Sequence, residues 1–319
     1  MDALSDVLSL LKPVNYMFRA VDAAGDWAIG YPEHRSIRCF AILSGQAWLA
    51  VDGIAGVLLE AGDCVLLPRG LAFRLGSALD VVPADAWDVF PSVEEGGVVT
   101  LNNGGAVYGL GGYFAFDSHH ADILLGVLPP IVHIRAESDR AALRSAMERV
   151  MAELRTPLPG GFLMARHLAH LVLLQALRII LAEGRAGGIG WIYGLGDKQI
   201  GAALNALHGD PSRKWTIDAL AALAAMSRST FALRFKERVG ETPIDYLTRW
   251  RMLLAADRLL TSRDAIAVIA PALGYESESA FSTAFKRVMG CAPRDYVRQP
   301  SPIGLPVVRS RSQHSQGQV

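Results

Sequence analysis

The chain has 319 residues, 51% of them hydrophobic and 19% charged, which suits two folded domains and excludes a wholly disordered protein. Lys/Arg and Asp/Glu number 31 each, so net charge alone points to no nucleic-acid or membrane partner. The distribution does: residues 213–298 hold 14 Lys/Arg against 9 Asp/Glu, a basic end beside an acidic remainder, as expected of a DNA-facing segment.

The first residues, Met1-Asp2-Ala3-Leu4-Ser5-Asp6, are acidic and lack the basic start and apolar core of a signal peptide. The most apolar run, residues 168–181, is broken by His170, Gln175 and Arg178 and is too polar to span a bilayer. The expectation is a cytoplasmic protein with no membrane partner. Three cysteines, Cys39, Cys64 and Cys291, show no spacing pattern, which argues against a disulfide scaffold or a zinc site.

From Tyr16 to Leu128 short apolar runs (residues 39–43, 47–51, 57–59, 64–67 and 98–101) alternate with turns at Ser44-Gly45, Asp52-Gly53, Ala61-Gly62-Asp63 and 102–105. Many short strands with Gly/Asp turns predict a sandwich or barrel, closed near Leu128-Pro129-Pro130. Helical periodicity follows. One helix starts with Ser138 as its cap and carries Leu143, Ala146, Val150 and Leu154. A second covers about 162–183, a Gly-rich loop 184–196, and a third helix 197–208. Such helices either cover the barrel or pair two copies of the chain. The tail from 299 to 319, rich in Pro, Ser, Arg and Gln, is expected to be disordered.

The C-terminal third repeats itself. Ser229-Thr230-Phe231, Phe235-Lys236, Gly240, Pro243 and Tyr246 recur fifty positions on as Ser279-Ala280-Phe281, Phe285-Lys286, Gly290, Pro293 and Tyr296. The unit reads as helix, tight turn, second helix and Gly stop, used twice. Thr216 or Asp218 caps the first helix, and Met226-Ser227 make the turn. Phe231 and Phe235, four apart, share one helix face and anchor it inward, as do Phe281 and Phe285. At about 100° per residue the opposite face holds Ser229, Leu233 and Lys236, with Ala232 at its flank. In the second copy it holds Ser279, Thr283 and Lys286, with Ser282 at the flank.

Small residues let a helix backbone approach base edges in a major groove, where hydroxyls bond to bases and a methyl meets thymine. Lys236, Lys286 and Arg287, with Arg228, Arg234, Arg249 and Arg251, suit phosphate contacts, which position without specifying. The amphipathic stretch 243–260 reads as one helix joining the copies. Pro271, inside the first helix of the second copy, is expected to bend or break it.

Gly274-Tyr275-Glu276-Ser277-Glu278-Ser279-Ala280-Phe281, then Ala284-Phe285-Lys286-Arg287, Gly290, Pro293 and Tyr296, resembles the signature of AraC/XylS-type transcription regulators over residues 215–298. The resemblance implies a double helix-turn-helix domain on double-stranded promoter DNA and action through RNA polymerase, as in an activator. Carried onto this chain, its base-facing positions are Ser229, Ala232, Leu233, Ser279, Ser282 and Thr283.

Gly62, Pro68 and Gly70 resemble the second motif of cupin barrels over about residues 31–75. Phe73 stands where that motif has a metal-binding His, Arg38 where the first motif has a Glu, and Pro32 where it has its first His; only His34 falls on a ligand position. One imidazole does not hold a catalytic metal. The resemblance implies a metal-free barrel that binds an effector, with Phe40, Trp48, Phe73 and Trp87 as apolar lining and Arg38 or Arg74 facing an acidic effector beside His34. The alternatives are a barrel that only dimerises, or a retained cupin enzyme. No Ser-His-Asp or paired-carboxylate constellation is visible, so no catalytic residue, metal or cofactor is expected.

His167 and His170 read as a surface or interface pair, and His119-His120 as a solvated loop. Cys39 and Cys64 read as buried inert thiols or, if exposed, redox sensors; Cys291 reads as structural. The expected architecture is α+β: a cupin-like sensor barrel over 1–130, a helical linker and dimerisation region over 131–210, an all-α domain with two helix-turn-helix motifs over 211–298, and a tail. The expected protein is a homodimeric regulator, not an enzyme, that answers to a small-molecule effector.

Overall fold

A computed structural model describes residues 2–11, 13–34, 36–90, 94–116, 124, 128–134, 137–156, 158–183, 188–262 and 264–298. Two sheets face each other. The larger, in spatial order, contains Val132–Ile134 (β11), Cys64–Leu67 (β6), Ser36–Ser44 (β3), Val107–Phe116 (β10), Pro13–Ala23 (β1) and Val98–Leu101 (β9). The smaller contains Val57–Glu60 (β5), Gln46–Val51 (β4), Phe73–Gly76 (β7), Ala28–Tyr31 (β2) and Ala84–Asp85 (β8). The mixed α+β class follows from this sheet-rich half and the helical half behind it.

Strand β3 shows why its sequence is apolar without alternation. Phe40 and Ile42 face the space between the sheets, with Ile29, Leu49, Phe73 and Leu75. Ile37, Cys39 and Ala41 face the other way, under helices. A strand covered on both sides needs apolar residues at every position. The covering helices are Glu137–Arg155 (α3) and Gly161–Glu183 (α4), which contribute Leu143, Met147, Val150, Leu168 and Val172. α3 begins one residue before the expected cap. The sheet runs past the expected boundary at 130, because β11 pairs antiparallel with β6. Cys39 and Cys64 are buried in this layer; burial pushes both thiols up, Cys64 to about 12, so both are inert. Cys291 is half-buried. His119-His120 and the tail 299–319 lie outside the described residues.

Two helices depart from the expected elements. Ala3–Leu10 (α1) is capped by Asp2, whose side chain accepts from the Ser5 N–H, and buries Ala3, Leu4, Val7 and Leu10. Trp191–Gly196 (α5) forms inside the Gly-rich stretch read as a loop. The Gly190 N–H donates to Arg238 O at 2.9 Å and the Trp191 indole donates to Leu124 O at 2.8 Å. Tertiary contacts override the poor local propensity. Lys198–Gly209 (α6) follows, its N-terminal N–H groups capped by the Asp197 carboxylate.

The repeated units are Ile217–Leu223 (α7) with Arg228–Val239 (α8), and Ile266–Ala272 (α10) with Glu278–Met289 (α11). Pro243–Thr261 (α9) joins them and Pro293–Arg298 (α12) closes the second. Thr216, Ser227, Thr242 and Ser277 cap α7, α8, α9 and α11 through their hydroxyls. α8 and α11 both stop at a left-handed glycine, Gly240 and Gly290 (φ 90° and 81°).

The offset is not constant. α8 and α11 begin fifty residues apart, but α7 and α10 begin forty-nine apart. The turns are built alike: Met226 N–H donates to Ala221 O and Tyr275 N–H to Ala270 O, each after a left-handed residue, Ala225 or Gly274. The second turn then admits one more residue, Glu276, before its cap Ser277. Pro271 does not break α10. The helix continues to Ala272, and Pro271 occupies an exposed place in its last turn equivalent to Ala222, where one backbone bond is forgone.

Phe231 and Phe235 belong to the core that also holds Trp191, Leu204, Tyr246 and Trp250 and reaches the barrel. Phe281 and Phe285 belong to a separate core with Met252, Ala255, Ala256, Ile269 and Tyr296. Removing a fully buried ring therefore has a local effect in the second unit. Phe281→Ala is expected to cost about 3–5 kcal/mol there. Amide exchange should accelerate in 266–298 and stay unchanged in the barrel strands; acceleration throughout would contradict separate cores.

Candidate nucleic-acid interface

The two second helices present the same surface. With Phe231/Phe235 and Phe281/Phe285 fully buried, Ser229, Leu233 and Lys236 on α8 and Ser279, Thr283 and Lys286 on α11 are among the exposed residues, while Ala232 and Ser282 are half-buried at the flank. Leu233 is 62% exposed, which is costly for a leucine unless something covers it. The Thr283 hydroxyl turns back to donate to Ser279 O at 3.0 Å; rotation of that hydroxyl makes it available to a base edge. All six residues expected to face bases lie on these outward faces or their flanks.

The seven expected phosphate contacts divide. Lys236, Lys286 and Arg287 are exposed. Arg228 is exposed and reaches Asp218 at 3.2 Å, a surface pair worth little. The other three are half-buried and held by partners within the protein. Arg234 is clamped to Asp197 at 2.7 Å and to Gln199 Oε1 at 2.8 Å, fixing α8 to the start of α6. Arg249 pairs with Glu241 and lies over the Tyr246 ring. Arg251 donates to Pro211 O and Arg213 O and lies over Tyr275. A basic residue near a helix end looks the same in sequence whether it faces phosphate or a neighbouring carboxylate.

Arg251 also explains the Gly274-Tyr275 pair. A Cβ on Gly274 would lie 2.2 Å from Ser212 O, and its φ of +80° disfavours other residues. The turn of the second unit thus presses on the segment leading into the first. Lys214 and Glu276, the extra turn residue, form an exposed ion pair across the same junction. No sequence signal marks that pairing, since the partners lie sixty-two positions apart.

Asp197 is the most constrained carboxylate here. Burial works to raise its pKa, but hydrogen bonds from the Ile200 N–H, Arg234 and the Gln199 N–H outweigh it and hold the carboxyl below its ordinary 3.8. A depressed folded-state pKa contributes stability above the unfolded value and loses it as pH falls through the folded one.

The barrel residues named as effector lining also divide. Tyr31, Phe40 and Phe73 meet between the sheets, with Arg38 over Tyr31 (4.8 Å) and Phe73 (5.6 Å) and the His34 ring edge-on to Phe73. Trp48 and Arg74 are not among them. Each is half-buried between two inward-facing neighbours, Ala47/Leu49 and Phe73/Leu75, so strand alternation turns it to the opposite face. Trp87, on the short helix Ala86–Val89 (α2), is 50% exposed. Among the described residues no three His, Cys, Asp or Glu side chains converge as a metal site. Among the same residues no helix is long and apolar enough to cross a membrane.

A barrel joined to two outward-facing helix-turn-helix units is the architecture of a DNA-binding regulator. Comparison with known proteins agrees: a cupin family model matches residues 2–182 and a helix-turn-helix domain model matches residues 220–299. The chain is 41% identical over 303 residues to a putative AraC-like transcription regulator of Streptomyces lividans, covering 94% of this chain and 99% of that one. It is 30% identical over 308 residues to the transcriptional regulator AlkR of Acinetobacter baylyi, covering 94% and 100%. The solved DNA-binding domain of AdpA in complex with a target DNA is 31% identical, covers 32% of this chain and 91% of that one, and superposes with a TM-score of 0.30. The chain belongs to the AraC-like family of DNA-binding transcription regulators.

The two kinds of arginine predict different phenotypes. Arg234→Ala removes the cation hydrogen-bonded to Asp197, leaving only Arg238 at 3.8 Å, and is expected to destabilise the protein by about 1–3 kcal/mol, read by urea unfolding. Lys286→Ala should change stability by no more than about 0.5 kcal/mol. The stability gap between the wild type and Asp197→Asn should shrink as pH falls below about 4, and a gap unchanged at pH 3 would contradict the ion pair.

Proposed function

We propose that α8 and α11 enter successive major grooves on one face of promoter DNA. Ser229, Ala232 and Leu233 then meet the bases of one half-site and Ser279, Ser282 and Thr283 those of the other. Arg228, Lys236, Lys286 and Arg287 take phosphates. The observation that carries this reading is the matched exposure of the two helices: both turn a thin face, with serine or threonine on each, outward over an identical buried phenylalanine pair. Successive major grooves lie about 34 Å apart. α9 has 19 residues, about 28 Å of helix, and with its flanking units suits that span.

The cupin domain, on this reading, senses a small effector and biases DNA binding through differential affinity for two states, in a cytoplasmic regulator that engages RNA polymerase and turns over no substrate. The barrel with β11 and its covering helices serves as sensor, and the 211–298 segment as reader. A homodimer accounts for the outer face of α4, where Leu163, Met164 and Leu171 are exposed beside His167; three exposed apolar side chains along one helix are a surface seeking cover. That same face favours the second reading, in which the N-terminal half dimerises and senses nothing.

Binding assays on a mapped promoter separate base from phosphate contacts. Thr283→Ala should change which base is preferred at one position, by about 1–3 kcal/mol of discrimination. Lys286→Ala should weaken every sequence alike and lower the salt slope by about one. Equal effects of both on all sequences would count against the groove assignment. A metabolite that raises the melting temperature of the full chain and shifts promoter affinity would support sensing, whereas a dimer with no such response would support the second reading.

A further inference from the structure

One end of the space between the sheets contains polar groups whose buried nitrogens have no hydrogen-bond partner among the described residues. Arg19 on β1, Arg38 on β3 and Tyr113 on β10 share the inner face of the large sheet: Arg38 pairs in register with Tyr113, and Arg19 with Gly111. From the small sheet Tyr31 stacks on Phe73, rings 4.5 Å apart and within 10° of parallel. Arg38 lies over three rings, those of Tyr31, Phe73 and Tyr113, and Arg19 lies over Phe90. Neither guanidinium has an ion-pair partner among the described residues, and the Nε of each is buried with no acceptor.

His34 adds a third polar group. Its Nδ1 is 2.7 Å from the Ser36 hydroxyl. Burial, aided by Arg38, drives its pKa down to about 3, so the ring is neutral. Its Nε2 is buried with no hydrogen-bond partner. Among the described residues the acid near these groups is Glu95, an exposed residue whose charge Arg19 and Tyr113 feel. Among the described residues two guanidiniums face this one carboxylate, which leaves one positive charge over, and buried charges and donors are ordinarily paired.

We infer that this end of the barrel is a binding site for a small monocarboxylate, with Arg19, Arg38 and His34 taking the carboxylate and Tyr31, Phe40 and Phe73 packing on its apolar body. A planar guanidinium fork matches a carboxylate, and a single negative charge balances the site. The inference rests on the sensory reading of the barrel and names the chemical class sensed.

The test uses the full chain with phenylacetate and hexanoate as probes, phenylacetamide as the neutral control, and chloride at equal ionic strength. At least one carboxylate should raise the melting temperature saturably, and phenylacetamide should not. Arg38→Met should weaken that carboxylate on the order of tenfold or more, and Arg19→Gln, as an independent variant, should do the same. Without ligand, Arg38→Met should melt at or above the wild type, because it removes an uncompensated buried cation; a purely structural Arg38 predicts the reverse. The site is overturned if neither carboxylate acts, or if its effect survives both substitutions. Arg38-dependent binding that leaves promoter affinity unchanged would keep the site and remove the sensory reading. A neutral metabolite that shifts promoter affinity while both carboxylates fail would do the opposite.

Discussion

One helix has to serve two cores. α9 turns Tyr246, Leu247, Trp250 and Leu253 toward the first unit and Met252, Ala255 and Ala256 toward the second. A helix apolar on two sides cannot rotate or slide without exposing one of them. It therefore fixes the orientation of α8 relative to α11. The small residues at 255 and 256 let the second unit approach closely, and Arg251 adds a polar lock between Tyr275 and the 211–213 backbone. Both reading faces depend on this shared rod more than on any contact between α8 and α11.

The two units differ in what stands behind them. The first is continuous with the barrel's helical cover, through Trp191, Ile200 and Leu204 and through the Asp197–Arg234 clamp at the base of α8. The second touches the remainder through α9, the 211–213 segment and the Lys214–Glu276 pair. A change inside the barrel thus reaches α8 through packed side chains, and α11 through the rod and the 211–214 junction.

Much of this was legible in the sequence. The phenylalanine pairs, the turn at Met226-Ser227 and the glycine stops are local signals that tertiary structure reinforces, so the reading helices and their outward faces could be written down residue by residue. The barrel's strands showed as apolar runs between Gly/Asp turns. What was not legible required a partner distant in sequence. α1 and α5 have weak local signals and exist through the surfaces they cover. The roles of Arg234, Arg249 and Arg251 are set by Asp197, Glu241 and the 211–213 carbonyls. Trp48 and Arg74 were placed inward because their chemistry suits a pocket, whereas the two-residue period of a strand decides the side. The extra residue in the second turn was hidden because α7 and α10 share few identities.

The opening helix carries a practical consequence. Ala3 N–H donates to Asn205 at 2.9 Å, Asp6 approaches the His208 ring at 3.8 Å, and that ring stacks on Trp250 of the shared helix at 4.0 Å. Leu4, Val7 and Leu10 complete the seam. An affinity tag fused directly ahead of Asp2, or trimming of the first ten residues, would disturb the seating of the rod that aligns both readers, so purification handles belong elsewhere on the polypeptide.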